Sequence, residues 1–172
     1  MKSSDVDILA HVIAAFRDCP RPEHFTDHDH CDECAEHDEV LRSRDVDSLT
    51  REDAGQMGWD PMTFTSEAGV AYYFPALARL TLEGESDLGW YGPQLLWHLS
   101  YEGSCNRLLS YFSSQQIAAV RMLLRQVERE HAELVDAYLC AEDLQSAISI
   151  WERRDQDAQQ ALAADARKTS RS

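Results

Sequence analysis

From Ile117 to Tyr138 the residues Ile117, Val120, Leu124, Val127, His131, Leu134 and Tyr138 recur alternately three and four positions apart. At about 3.6 residues per turn this spacing lines up one face of an α-helix, and it commits the chain to packing helices rather than strands. Ser113 and Gln116 have capping-box spacing at the start of the segment. The pattern suits a coiled coil, but a stripe of this kind more often marks a core helix in a bundle, so Ile117, Val120, Leu124, Val127 and Leu134 are expected to form one buried stripe.

The rest of the chain supplies partners for that helix. Val6, Leu9, Val12, Ile13 and Phe16 predict a helix over 5–17 with Ser4 as its cap, ended by Cys19-Pro20-Arg21-Pro22. A loop is expected over 23–30, then a short helix from about Cys31 to Arg42 carrying Val40 and Leu41 inward. Thr50 and Asp53 suggest a one-turn helix start closed by Gly55, and residues 58–64 a turn feeding an extended piece. Ser66 can cap a helix through Tyr72, Tyr73 and Phe74, which Pro75 is expected to kink or split before Leu77, Leu80 and Leu82. Pro93 suits a first helical position ahead of Leu95, Leu96 and Leu99; a shorter helix follows through Leu108, Leu109 and Phe112, and a last one through Leu144, Ile148 and Trp151. The trend is mainly α: an irregular helical bundle, one domain over 1–155, with a Cys/His-rich N-terminal loop. Residues 156–172, Gln/Ala-rich and then Arg/Lys/Ser, are expected to form a frayed or disordered tail.

Charge narrows the function classes. Among 172 residues, 16 Lys and Arg face 31 Asp and Glu, a net charge of −15. The first 60 residues hold 16 acids and 6 bases, so the excess sits mostly at the front. Nucleic acids and anionic membrane surfaces are bound chiefly through Lys and Arg, which disfavours both as partners. Basic proteins or cations are favoured. No apolar run approaches the ~20 residues of a membrane helix. The opening MKSSDVDILAHVIAAF is amphipathic and acidic, unlike a signal peptide, and five cysteines are an odd number; together they point to a reducing cytoplasm rather than a disulfide framework.

Seven of the twelve Cys and His residues fall between positions 19 and 37: Cys19, His24, His28, His30, Cys31, Cys34 and His37. That is about five times an even spread. Zinc takes four N or S donors in a tetrahedron, and Cys-x2-Cys is a common half-site because a tight turn or helix start aims two sulfurs at one ion. Cys31-Asp32-Glu33-Cys34 is such a half-site. On a continuous helix, ligands three apart drift by about 60° each, so Cys31 and His37 would be spread across ~120°. The expected solution places Cys31 just before the helix, Cys34 in its first turn and His37 one turn on, with a loop histidine closing the set. The predicted zinc ligands are therefore His28, Cys31, Cys34 and His37 within a 19–42 segment, with His30, Cys19 or His24 as alternatives.

Two other readings compete. A redox Cys-x2-Cys needs positive surroundings, whereas this one lies among Asp27, Asp29, Asp32, Glu33, Glu36, Asp38 and Glu39, with no Lys or Arg over 22–41. A surface loop that binds nothing is the plainer one. The seven acids suit acceptors for histidine N–H groups, or counter-charge to a cation. A catalytic zinc is less favoured: His24 and His28 have zincin spacing without the glutamate base. No phosphate loop or nucleophile elbow is present. His98 and His131 read as core or interface histidines, the tryptophans and Tyr91 as core or rim aromatics, and Cys105 and Cys140 as small buried residues.

Several stretches are similar to a family of uncharacterised bacterial proteins carrying a domain of unknown function. They are Ala15-Phe16, Cys31 to Cys34, Glu67 to Leu77 (EAGVAYYFPAL), Trp97 to Leu109 and Phe112 to Leu124, within about residues 10–150. The resemblance implies a small, mainly helical protein and brings no activity with it. The sequence thus predicts a cytoplasmic, zinc-stapled binding or regulatory protein with a protein partner, and it singles out no catalytic residue. The runner-up is an acidic inhibitor or immunity-type protein masking a basic surface, and a zinc-dependent hydrolase comes third.

Overall fold

The helix with the longest apolar stripe, Ser114–Glu130, packs chiefly against the first helix of the chain, Ser3–Phe16. The computed structural model describes residues 1–154. In chain order the helices are α1 (Ser3–Phe16), α2 (Asp32–Arg42), α3 (Glu67–Leu82), α4 (Gly92–Ser100), α5 (Arg107–Tyr111), α6 (Ser114–Glu130), α7 (Ala132–Ala137) and α8 (141–154), with 3-10 turns at Pro61–Thr63 and Gly103–Cys105. No strand occurs among the described residues, only isolated bridges such as Thr26 to Thr65. The mainly α expectation holds. No described helix is long and apolar enough to cross a membrane. The expected tail over 156–172 lies outside the described residues.

α1 packs on α6 and α3, burying Ile8, Val12 and Phe16. Phe16 stacks on Phe74 with ring centroids 4.6 Å apart and meets Phe112 edge-on at 5.1 Å. The start of α1 is fastened to the end of α6: Gln126 Nε2 donates to Asp5 Oδ1 at 2.8 Å, and Lys2 Nζ to the Glu130 carbonyl at 2.6 Å. The α1 cap is thus Lys2 rather than Ser4.

α6 begins with the expected capping box: Gln116 N–H donates to Ser113 Oγ at 3.3 Å, and Ser113 N–H to Gln116 Oε1 at 2.8 Å. Its stripe does not run on to Tyr138 as one helix. His131 leaves the helical region at φ −120°, ψ 21°, and brings Nε2 within 3.3 Å of the buried Asp5 Oδ1. Ile117, Val120, Leu124 and Val127 are buried, whereas Leu134 is only partly so and Val135 takes the inward position of α7.

α3 is apolar nearly all round and is the most enclosed helix, as that composition requires. Pro75 does not split it. A proline inside a helix costs about 3 kcal/mol, but it is outweighed here by burial of Tyr73, Phe74, Ala76, Leu77, Ala78 and Leu80 on either side. Trp90 and Trp151 are buried with their indole N–H groups satisfied, donating to the carbonyls of Thr81 at 2.8 Å and Leu99 at 2.9 Å. Cys105 departs from expectation: it is exposed in the turn after α4, while Cys140 is buried. Residues 61–63 form a 3-10 turn in place of the expected extended piece, because Asp60 Oδ1 accepts from Met62 N–H at 2.9 Å and caps it.

The segment carrying the cysteines and histidines is tied to this frame at several points. Arg21 donates to the carbonyls of Arg42 at 2.7 Å and Arg44 at 2.6 Å, closing the end of α2, and lies over the rings of Phe25 and Tyr72. Ser66 N–H donates to the Phe25 carbonyl at 2.7 Å beside the Thr26–Thr65 bridge. Tyr73 donates to the Leu41 carbonyl at 2.5 Å. Leu41 is buried as expected, whereas Val40, expected inside, is exposed and His37 and Asp38 face inward in its place.

Candidate metal centre

Cys31 is the N-cap of α2, extended at φ −163°, ψ 167°, and its sulfur accepts from Cys34 N–H at 3.5 Å. A capping residue points its side chain back over the first turn, and Cys34 occupies that turn, so the local rule of helix starts brings the sulfurs together. They lie 3.4 Å apart. A turn closed by His30 N–H donating to the Asp27 carbonyl at 3.0 Å folds the loop back, and His30 Nδ1 comes to 3.8 Å from the Cys34 sulfur. His30, Cys31 and Cys34 offer one donor atom each, all within 4.8 Å of one another. An ion about 2.3 Å from each sulfur and about 2.0 Å from nitrogen, bonded tetrahedrally, spaces its sulfurs about 3.8 Å apart and sulfur from nitrogen about 3.6 Å apart. The sulfur–sulfur separation and that of the Cys34 sulfur from His30 Nδ1 fall within about 0.4 Å of those values.

The two thiols differ. The Cys34 amide and the His30 ring favour the thiolate of Cys31 and hold that exposed thiol below its ordinary range, and the same contact raises His30. Cys34 is buried, and its contact with Cys31, together with burial, pushes it up to about 11.

A second group lies in the same segment: His24, His28 and Asp38. Asp38, on the second turn of α2, accepts on Oδ1 from the Phe25 and Thr26 amides at 2.6 and 3.3 Å and on Oδ2 from His24 Nδ1 at 2.7 Å. Burial alone would raise its pKa, but His24 and the two amides outweigh this and carry it below the usual carboxylate range. The rings of His24 and His28 stack with centroids 3.7 Å apart and planes 8° from parallel.

Of the four predicted ligands, the structure thus brings Cys31 and Cys34 together with His30. His28 stands in the second group. His37, only 1% exposed, packs against Trp59 and Phe64, with Nε2 3.7 Å from a Glu33 oxygen. Cys19 faces α6, where its sulfur accepts from Gln116 Nε2 at 3.1 Å, and burial raises its pKa. The residue that sequence reasoning undervalued is Asp38, grouped with six other acids although only it is buried among them. Outside this segment, Asp60 holds His98 Nε2 at 2.9 Å and Gln94 Nε2 at 3.0 Å, so His98 is a tethered interior histidine.

Comparison of the chain with protein-family models, with curated proteins and with solved structures finds no match.

Proposed function

We propose that the chain is a zinc-binding protein whose ion, held by His30, Cys31 and Cys34, fixes the N-terminal segment as a binding or regulatory surface. The separations of the two sulfurs and the imidazole nitrogen carry this reading, since they approach those of a tetrahedral S,S,N set. Thiolate donors favour zinc over hard divalent ions, and a Cys31 already poised toward thiolate loses its proton readily to a metal. Water or a donor brought by a partner takes the fourth position. The partner is a protein with a basic surface, matched to the net charge of −15, and the compartment is a reducing cytoplasm in keeping with five free cysteines. Protein purified without chelator should carry about one zinc per chain. Cys34→Ser should lose it together with the hydrogen-exchange protection of the turn over 27–34, while α6 stays protected. Absence of transition metal by elemental analysis, with equal protection in wild type and variant, refutes the proposal.

One observation favours a second reading, thiol–disulfide exchange. An exposed Cys31 with a lowered pKa next to a buried Cys34 raised to about 11 is the asymmetry of an attacking and a resolving thiol. Equilibration with glutathione buffers separates the two: a Cys31–Cys34 disulfide formed reversibly in zinc-supplemented protein supports exchange, and thiols that stay reduced support metal.

A further inference from the structure

We propose that His24, His28 and Asp38 form a second cation site, built of nitrogen and oxygen donors and distinct from the sulfur-bearing group. The donor atoms lie within 4.8 Å of one another. An ion about 2.1 Å from each bridges donors some 3–4 Å apart and must lie in the plane of each ring, so closing the set requires the half-exposed His28 ring to turn out of its stack on His24. The carboxylate is already placed. Its Oδ1 is fixed by the Phe25 and Thr26 amides, which leaves Oδ2 turned to His24, and the Asp38 side chain is only 4% exposed.

A purely structural role accounts for Asp38 and His24, which together pin the loop to α2. It does not account for His28. That side chain is 39% exposed, and its one ionic neighbour among the described residues is the adjacent Asp29 at 3.5 Å, yet its ring lies face to face with His24. Two imidazoles beside a buried carboxylate are a nitrogen-rich set of the kind that borderline divalent ions such as zinc, nickel, copper and cobalt select, while calcium and magnesium prefer all-oxygen shells. The acidic surroundings of the loop raise the local cation concentration. Thr26 links the two groups: its amide donates to Asp38, and its hydroxyl donates to the Cys34 carbonyl at 2.7 Å. Occupancy of the site does not depend on the sulfur-bearing group binding zinc.

Cobalt(II) is the probe, because thiolate ligation gives a near-ultraviolet charge-transfer band and nitrogen–oxygen ligation gives only weak visible bands. The full chain is titrated in excess magnesium, which occupies ordinary carboxylate surfaces. Wild type should take up two equivalents, one with the charge-transfer band and one without. The doubly substituted Cys31→Ser, Cys34→Ser protein should keep one equivalent and lose the band. His28→Ala should keep the band at full intensity and bind the other equivalent at least about tenfold more weakly. A wild type that binds a single equivalent, with His28→Ala weakening the charge-transfer band, overturns the proposal and places His28 among the ligands of the sulfur group. A band absent from wild type, with one equivalent still lost in His28→Ala, supports this site and removes the zinc reading of the other.

Discussion

Replacing Asp38 by alanine in chelator-treated protein isolates what this carboxylate does for the fold before any cation is involved. The substitution strips the acceptors from the amides of Phe25 and Thr26, both in buried residues, and from the partly exposed His24 ring. A buried donor left without a partner costs about 1–3 kcal/mol; His24 can turn to water and adds little, so two orphaned amides give an expected loss of about 2–6 kcal/mol. Asp38→Asn keeps an acceptor oxygen for the amides and should lose about 1–2 kcal/mol. The acid dependence has a definite sign. Because the folded-state pKa of Asp38 lies below its ordinary value, its contribution is fully present above about pH 4 and fades as pH falls through the depressed folded value. The stability difference between wild type and Asp38→Asn should therefore be flat near neutrality and shrink in that acid window. Denaturant unfolding from neutral to acid pH, with amide exchange read at Phe25 and Thr26, measures both effects. An Asp38→Ala protein as stable as wild type, with unchanged exchange at those two amides, would refute the reasoning and assign the loop's anchorage to Arg21 and the Thr26–Thr65 pairing.

Two further outcomes test the frame. Leu124→Ala, at a side chain 1% exposed, should cost about 2–5 kcal/mol through lost burial and a residual cavity, whereas Met122→Ala, 38% exposed on the same helix, should stay within about 0.5 kcal/mol of wild type; urea midpoints compare them. Leu139→Gly should stabilise by about 0.5–1 kcal/mol, because Leu139 holds a left-handed φ of 54° just past α7 with its side chain 89% exposed; a thermal midpoint higher by a few degrees checks it.

What the sequence reveals of this molecule follows the range of the interactions involved. Short-range rules served well: the Ser113–Gln116 box, Pro93 at the start of α4 and Cys31 as a helix cap all depend on residues within a turn of one another. The break at His131 could not be seen, because an apolar stripe carries no mark of the Asp5 carboxylate that draws this ring out of helical register. The ligand set suffers from the same blindness. Spacing puts His37 one turn beyond Cys34, but Trp59 and Phe64, more than 20 positions away in the chain, claim its ring. His30 looks outward-pointing beside an extended Cys31 until the turn at Asp27 folds it back.

The docking of α1 on α6 also governs how the molecule is made. Phe16 and Ser114 are separated by almost 100 residues, and at about 5–20 residues per second a ribosome needs roughly 5–20 s to cover that distance. Throughout that interval Ile8, Val12 and Phe16 have no α6 to lie against, and Asp5 waits for Gln126. The Ser3–Phe16 helix leaves the exit tunnel before the other described helices and is among the last of them to reach its final place. A nascent chain stalled before Ser114 would hold this greasy stripe open to chaperones, and release of bound chaperone should coincide with emergence of Gln126 rather than with completion of α1 itself.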